Sequence, residues 1–182
     1  MNFYLMQILL HFIINYLIKQ DYQVTAYDHF LYGKDVFLEK EKIKLIEGDI
    51  RNIELLSRSI KNHDVVIHLA CISNDPSFEL NPDLSTSINY SCFEPLVRSS
   101  KKAGVKRFIY CSSSSVYGIS EERDVTESHP LVPLTLYNKY KGLCEPLLFK
   151  HETEDFVCTV IRPATLCGCA PRQRLDLTVN IF

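Results

Sequence analysis

Two short stretches of the sequence hold residue types that could do chemistry together. Tyr137 and Lys141 are four residues apart in YNKYK (137–141), and Ser113 lies upstream in CSSSSVYG (111–118). On a helix, residues with this spacing share one face, so the phenol and the ammonium can point into one pocket. A free phenol has a pKa of about 10, and a nearby fixed positive charge lowers it. The pattern therefore predicts a tyrosine base, tuned by a lysine, that takes a proton from a substrate hydroxyl held by a serine.

Tyrosine and lysine are common on helix surfaces, so this pair indicates a catalytic site only if the surrounding strands and helices place it at one. Five runs are rich in β-branched or aromatic residues and largely uncharged inside, which predicts strands covered on both faces. They are YQVTAYD (22–28), IKLIEGD (43–49), DVVIHLA (64–70), RFIYCSS (107–113) and FVCTVIRPA (156–164). His68 interrupts the third run, and we interpret it as a satisfied core histidine rather than a catalyst.

Helical spacing appears between these runs. Two sets of apolar residues carry it: Ile53, Leu56 and Ile60, then Leu84, Ile88, Cys92 and Leu96. Asn81 followed by Pro82 predicts the start of the second helix, because it combines a cap residue with proline at the first helical position. Gly104 is predicted to close that helix, and Pro95 should kink it.

Strands that alternate with helices predict right-handed β-α-β crossovers and a parallel sheet, so the fold class is α/β, a doubly wound parallel sheet of the Rossmann type. Ligands of such sheets bind at the carboxyl ends of the strands. The residues predicted to lie there are Asp28, Asp49, Ala70, Ser113 and Ala164.

The first twenty residues raise the question of a membrane segment. The apolar stretch 3–18 is shorter than the roughly 20 residues that span a bilayer, and no basic region or small-residue cleavage site marks a signal peptide. Polar residues recur every fourth position at Gln7, His11, Asn15 and Lys19. We therefore predict a mostly buried amphipathic helix with a narrow polar stripe rather than a membrane anchor.

The bulk composition excludes several classes of protein. The net charge of −2 offers no basic surface for nucleic acid, and 46% apolar with 23% charged residues is typical of a globular protein with a real core. Seven scattered cysteines fit a reduced cytoplasmic protein better than a disulfide scaffold. Cys167 and Cys169 form a single C-x-C without a second pair, so no metal site is predicted.

Taken together, the stretches resemble one known family. YQVTAYDHFLYG, GDIRN, VVIHLACIS, SINY, KRFIYCSSSSVYG, YNKYK and IRPATLCG occur in the order found in extended short-chain dehydrogenases/reductases. The resemblance is to their NAD-dependent nucleotide-sugar epimerases/dehydratases, typified by UDP-glucose 4-epimerase, and it runs from about Leu9 to the C-terminus. It implies NAD as cofactor, a nucleotide-sugar substrate and a cytoplasmic location, and it allows a homodimer.

The resemblance also implies roles for individual residues. Tyr137 would be the general base, and Lys141 would bind the nicotinamide ribose and lower the pKa of Tyr137. Ser113 matches the catalytic serine, although Ser112 or Ser114 could take that place, and the implied substrate contacts are Ser113, Ser114, Tyr137 and Thr165. The implied cofactor contacts are Asp28 at the adenosine ribose, Asp49 and Ile50 beside the adenine, Leu69, Ala70 and Cys71 along the cofactor, Asn89 in support, and Tyr137, Lys141 and Ala164 at the nicotinamide.

One expected feature of the family is missing. A glycine-rich loop should precede the ribose acid by roughly 20 residues, yet the corresponding positions hold Tyr4, Gln7 and Leu10. Side chains there would keep a pyrophosphate away from the helix N-terminus. The strand ahead of that loop is missing too, or is replaced by a short strand at 2–6. Since it would lie between the strands ending at Asp28 and Ala70, we expect two half-sheets with unpaired edges.

These observations predict that 1–182 is an incomplete NAD-binding Rossmann domain without the C-terminal substrate domain. Two hypotheses follow. The chain is an NAD-dependent nucleotide-sugar epimerase or dehydratase impaired by loss of the glycine-rich loop. Alternatively, it is a non-catalytic remnant, either a poorly folding product or a module that binds a partner through its open sheet edge. A sterol-type dehydrogenase is a third reading, since it shares the three catalytic residues. The catalytic residues do not distinguish epimerisation, dehydration and oxidation.

Overall fold

The computed structural model describes residues 4–31, 33–34, 37, 40–73 and 75–165. The helices are α1 (Tyr4–Lys19), α2 (Ile53–Ile60), α3 (Asp75–Glu79), α4 (Pro82–Thr86), α5 (Phe93–Lys102) and α6 (Leu136–Phe149). The strands are β1 (Val24–Asp28), β2 (Ile43–Glu47), β3 (Val65–His68), β4 (Arg107–Cys111) and β5 (Val157–Ile161). Short 3-10 turns cover Lys40–Lys42 and Ser114–Tyr117, and a π-helical turn covers Ser87–Ser91. All five predicted strands are present within their predicted ranges.

The strands form two parallel sheets. In the first, β1 pairs with β2 from Val24 opposite Ile43. In the second, β4 lies between β3 and β5. Helices connect β3 to β4 and β4 to β5, as a Rossmann-type α/β fold requires, so the predicted fold class is confirmed. Between β1 and β2, the only helical element among the described residues is the 3-10 turn Lys40–Lys42.

A cavity of about 220 Å³ lies along β1 and β3. Thr25 and Tyr27 line it from β1, all four residues of β3 line it too, and α2 contributes Leu56 and Ile60. The His63 side chain links the two sheets through a 2.9 Å hydrogen bond between its Nε2 and the Thr25 Oγ1. β1 pairs only with β2, and β3 only with β4, within the described part of the chain. The predicted pair of half-sheets is therefore present.

Helix α1 is continuous from Tyr4, so the alternative of a short strand at 2–6 is wrong for 4–6, while residues 2 and 3 lie outside the described residues. Its Ile14 and Ile18 are buried against Ala26 and Ile43, which attaches the helix to the first sheet. The predicted amphipathic helix is therefore present, but the prediction that it is mostly buried is wrong, because Phe12 and Tyr16 are 51% and 65% exposed. Across the described ranges, no helix is both long and apolar enough to cross a bilayer.

The long helix predicted after Asn81 is divided. The Asn81 side chain accepts a hydrogen bond from the Leu84 N–H at 3.0 Å, so the predicted cap is confirmed. The break comes before Pro95 rather than at it, in the π-helical turn, where the Cys92 N–H donates to the Ser87 carbonyl at 3.2 Å. Proline has no N–H to offer the carbonyl four residues earlier, and a wider turn is one way to accommodate that loss. Gly104 ends the segment with φ +85°.

Aromatic rings fill the core of the second sheet. Phe93, Phe108 and Tyr110 are almost fully buried, and the imidazole of His68 stacks on Tyr110 with 5.8 Å between ring centroids. Burial lowers the pKa of His68 to about 3, with a smaller contribution from Lys141. The imidazole is therefore neutral in the folded protein, which agrees with its interpretation as a core histidine.

We predict that His68 makes the protein less stable in mild acid. Its folded pKa of about 3 lies below the unfolded value of 6.5, so below pH 6.5 the unfolded state binds the extra proton. From pH 7.5 to 5 the wild type should lose about 2 kcal/mol of unfolding free energy through this group. Urea titrations should show that His68→Phe, which keeps a ring in the stack, has a flatter pH dependence. Equal pH dependence would contradict the assignment.

Helix α6 offers a matched pair of leucines for a packing test. Leu148 is fully buried, whereas Leu143 is 39% exposed. Leu148→Ala should lower the unfolding free energy by about 2–5 kcal/mol, because it leaves a cavity in the core. Leu143→Ala should cost less than about 1 kcal/mol. Denaturant unfolding of both variants measures the difference, and similar losses would show that the two helix faces are packed alike.

Candidate active site

Helix α6 carries Tyr137 and Lys141 on one face, as predicted. The helix begins after Thr135, whose hydroxyl accepts a hydrogen bond from the Asn138 N–H at 3.3 Å. This cap satisfies one of the free N–H groups of the first turn and fixes where the helix starts. Tyr137 therefore lies in the first turn and Lys141 one turn later.

Lys141 attaches this helix to the carboxyl end of β4. The lysine is 3% exposed, and its Nζ donates a 2.7 Å hydrogen bond to the carbonyl oxygen of Cys111. The same Nζ lies 5.2 Å from the ring centroid of Tyr110 and 6.0 Å from that of Tyr137. The ammonium is thus close to the Tyr137 ring and is bound two residues before Ser113.

The pKa of Tyr137 departs from the prediction. Burial raises it well above its usual value, and Cys71 and Cys111 add to the rise. The predicted lowering by Lys141 is therefore wrong for this structure. The physical reason is that desolvation of the phenol outweighs the attraction of an ammonium that is already bound to a carbonyl oxygen.

The hydrogen bonds of Ser112, Ser113 and Ser114 show which of these hydroxyls are available to a ligand. Ser112 is buried and donates its hydroxyl to Glu145 Oε1 at 2.6 Å. Ser113 is partly exposed, and its Oγ lies 3.1 Å from the Ser115 Oγ and accepts from the Ser115 N–H at 3.2 Å. The N–H of Ser114 donates to the Pro163 carbonyl at 3.0 Å. Because the Ser112 hydroxyl is committed to a buried carboxylate, Ser113 and Ser114 are the candidates that remain at the strand end.

The residues predicted beside the cofactor line the cavity between the sheets. They are Asp28, Asp49, Ile50, Leu69, Ala70 and Cys71. Burial raises the pKa of Asp28, whose Oδ1 accepts a 2.7 Å hydrogen bond from the Phe30 N–H. The Asp49 carboxylate is bound by Arg51 and lies 3.3 Å from His29, and the Arg51 hydrogen bond lowers its pKa to about 2. Asp49 is thus already paired with a cation, whereas Asp28 is held by a backbone amide.

Asn89 holds the segment that follows β3. Its Nδ2 donates to the carbonyl oxygen of Ile72 at 2.9 Å, and its Oδ1 accepts from the N–H of the same residue at 2.8 Å. Asn89 is buried, in the π-helical turn. The amide therefore fixes the backbone next to Cys71, and the supporting role of Asn89 at the cofactor stays a prediction.

The positions expected to form a glycine-rich turn are helical. Tyr4, Gln7 and Leu10 all lie within α1, and Leu10 lines the cavity. The backbone there is a regular helix rather than a turn, and after its first turn the N–H groups are in helical hydrogen bonds rather than free to bind an anion. Ala164 and Thr165 follow β5 and are exposed.

Two paired charged residues, the buried Glu145 and the partly buried Arg162, were missed by the sequence reasoning. Glu145, 3% exposed, binds the guanidinium of Arg162 through two hydrogen bonds of 3.1 and 2.6 Å. Glu145 follows Lys141 at the spacing that separates Lys141 from Tyr137, and that periodicity was an available signal. Arg162 gave no comparable signal beyond its place at the end of a predicted strand.

The cysteines with a described position are free thiols. Cys71, Cys92, Cys111, Cys144 and Cys158 are free and buried. Among the residues with a described position, no group of three or more His, Cys, Asp or Glu side chains could hold a metal ion. Cys167 and Cys169 lie outside the described residues.

Known proteins resemble this chain in both sequence and fold. UDP-glucose 4-epimerase of Lactobacillus helveticus is 27% identical over 157 residues, 85% of this chain and 47% of that protein. Sterol-4-alpha-carboxylate 3-dehydrogenase (decarboxylating) of Saccharomyces cerevisiae is 29% identical over 148 residues, 78% of this chain and 41% of that protein. The solved structure of MoeE5 in complex with UDP-glucose and NAD matches with a TM-score of 0.78 at 24% identity, covering 93% of this chain and 55% of that one.

The chain therefore spans less than half the length of these two curated relatives. A family model matches residues 11–179, which is most of this chain. That match includes both sheets, the serine run and the helix that carries Tyr137 and Lys141. The chain belongs to the NAD dependent epimerase/dehydratase family.

Proposed function

We propose that this chain carries the catalytic residues of an NAD-dependent nucleotide-sugar epimerase or dehydratase, with cofactor binding weakened at the pyrophosphate. The observation that carries the proposal is the buried Lys141 ammonium, bound to the Cys111 carbonyl at 2.7 Å beside the ring of Tyr137. Removing an ammonium from water costs free energy, so a buried lysine points to a functional or structural role. This one lies at the carboxyl end of a parallel strand, where ligands of such sheets bind.

The cavity fits part of the cofactor. Asp28 ends β1 with its carboxylate at the cavity wall, where it could accept hydrogen bonds from the hydroxyls of an adenosine ribose. Leu69, Ala70 and Cys71 offer an apolar edge along the same cavity. The pyrophosphate end does not fit, because helical Tyr4, Gln7 and Leu10 stand where a turn without Cβ atoms is needed. We therefore expect NAD to bind weakly.

The proposed chemistry assigns proton transfer to Tyr137. Bound NAD would accept and return the hydride. In this structure the phenol is protonated at neutral pH, since burial raises its pKa. To remove a proton from a sugar hydroxyl it needs a lower pKa, and the Lys141 ammonium is the cation beside it. Ser113 would hydrogen-bond the same sugar oxygen and hold it near the phenol.

Epimerisation, dehydration and oxidation would share these residues. The keto-sugar can be reduced from its other face, lose water or leave. The likeness to a UDP-glucose 4-epimerase supports a sugar nucleotide as substrate. The likeness to a sterol-4-alpha-carboxylate 3-dehydrogenase supports a sterol as the alternative substrate. We place the sugar nucleotide first, because the SSVYG context of Ser113 is the one that resembles the sugar enzymes.

A second candidate function rests on the unpaired edges of β1 and β3. Both edges face the cavity, and exposed edges can accept an added strand from another polypeptide. In that case the chain would be a non-catalytic, partner-binding relative of the enzymes. The two candidates differ in whether NAD binds to the chain.

Titration with NAD tests the proposal. Melting temperatures should be measured for the chain and for a repaired version that carries an added strand and a glycine-rich turn ahead of α1. We expect a saturable rise of several degrees for the repaired version at 100 times its Kd, where linkage gives about 2.7 kcal/mol. The chain itself should show little change. No rise for either protein would contradict an NAD site.

Measuring UDP-glucose turnover tests the catalytic role of Tyr137 separately from NAD binding. In the repaired version, Tyr137→Phe should abolish turnover of UDP-glucose and leave the response to NAD intact. Tyr140→Phe is the matched control, because Tyr140 lies on the same helix and stacks on Tyr90. Equal activity in the two variants would remove Tyr137 from the proposed role.

A further inference from the structure

We propose that Arg162, held by Glu145, is a positioning residue that fastens the loop 118–135 across the carboxyl ends of β4 and β5. We call this segment the strap loop. It runs from the 3-10 turn Ser114–Tyr117 to helix α6. Its role as a wall of the sugar site rests on the proposed function, whereas the fastening itself does not.

Glu145 is the first part of the fastening. It lies two turns after Tyr137 and one after Lys141 on α6, so the three share one face. Lys141 binds the Cys111 carbonyl at 2.7 Å, and Glu145 Oε1 accepts from the Ser112 hydroxyl at 2.6 Å. Successive turns of the helix are thus docked on successive residues at the end of β4. A carboxylate this deeply buried needs a cation.

Arg162 supplies that cation and reaches further. Its Nε and Nη2 donate to the two oxygens of Glu145 at 3.1 and 2.6 Å. Its Nη1 donates to the Tyr117 hydroxyl at 2.8 Å and to the Glu127 carbonyl at 3.1 Å. The guanidinium carbon also lies 4.9 Å from the centroid of the Tyr117 ring. One planar side chain therefore joins the end of β5, helix α6, the 3-10 turn and the strap loop.

The strap loop has other contacts with the same turn. The rings of Tyr117 and His129 meet edge to face with 5.9 Å between centroids. Gly118 has φ +72°, and a Cβ there would collide with the carbonyl oxygen of Val132. The backbone of the loop therefore passes directly over the glycine, a close approach that another residue would block.

Burial alone does not hold the strap loop in place. Ile119, Val125 and Leu134 are exposed, at 81%, 41% and 65%. With so little apolar surface removed from water, the polar contacts to Arg162 have a large share in fixing the position of the loop. Ser112 binds Glu145 and Ser114 binds Pro163, the residue after Arg162, so the candidate catalytic serine Ser113 lies between two residues bound to the fastening.

Limited proteolysis tests the fastening directly. Arg123 is the only lysine or arginine within 118–135, so trypsin reports on the strap loop at a single site. Arg162 itself precedes Pro163, a bond that trypsin cuts poorly. Arg162→Met should speed cleavage after Arg123 by about five-fold or more, since cleavage follows the population of the open loop. Arg58→Met is the matched control, because it removes an arginine from an exposed pair with Glu54, and it should leave this rate unchanged.

An unchanged rate in Arg162→Met would overturn the proposal. If that variant does not fold, Tyr117→Phe decides, because it removes one hydroxyl contact from Arg162 and keeps the ring. It should speed the same cleavage by about two-fold, and no change would overturn the proposal. Arg162→Lys keeps the charge without the planar fork, so its cleavage rate should lie between those of the wild type and Arg162→Met.

Comparing the Kd values for UDP-glucose and NAD distinguishes a local effect of Arg162 on the sugar site from a general loss of structure. In the repaired protein, Arg162→Met should raise the Kd for UDP-glucose by about five-fold and the Kd for NAD by less than about two-fold, because most of the residues predicted at the cofactor line the cavity between the sheets, which Arg162 does not line. An equal rise in both constants would overturn the positioning role. If the proteolysis result holds but the wild-type repaired protein does not bind UDP-glucose, the proposed function fails and the fastening stands.

Discussion

The buried ammonium of Lys141 is the interaction on which the candidate site depends. It joins the first turns of α6 to the last residue of β4 through the Cys111 carbonyl. Without this bond, Tyr137 would have no fixed place relative to the serine run, and the hydroxyl of Ser112 would not meet the carboxylate of Glu145. The cost of removing this ammonium from water is offset by the carbonyl oxygen and by the ring of Tyr110.

Charged side chains dominate the carboxyl ends of β4 and β5, and apolar surface dominates the cavity between the sheets. Arg162 and Glu145 form a partly buried pair at the ends of β4 and β5, while the cavity between the sheets is lined largely by aliphatic and aromatic side chains. The candidate catalytic and positioning residues therefore lie where the polypeptide makes its own polar contacts. Helical Tyr4, Gln7 and Leu10 occupy the positions where the family's glycine-rich turn would offer backbone amides to a pyrophosphate.

Much of the fold was predictable because continuous apolar runs and helical spacing both reflect burial. The same patterns could not locate the break before Pro95, since Leu84, Ile88, Cys92 and Leu96 keep helical spacing across the π-helical turn. The positions of the candidate site residues were predicted from the ends of the strands and from the family resemblance. The rise in the pKa of Tyr137 was not predicted, because the sequence does not show how deeply the phenol is buried or that the Lys141 ammonium already binds a carbonyl oxygen.

The gap between β1 and β3 has a consequence for how the protein opens. Within the described residues, the ladder of backbone hydrogen bonds stops between β1 and β3, and the His63–Thr25 side-chain bond crosses this gap. The α1–β1–β2 unit has its own small cluster of buried apolar residues, and its Tyr27 also packs against the aromatic core of the second sheet. Amide protons of the two units should therefore exchange with solvent in two distinct classes, the first unit opening more readily than the second.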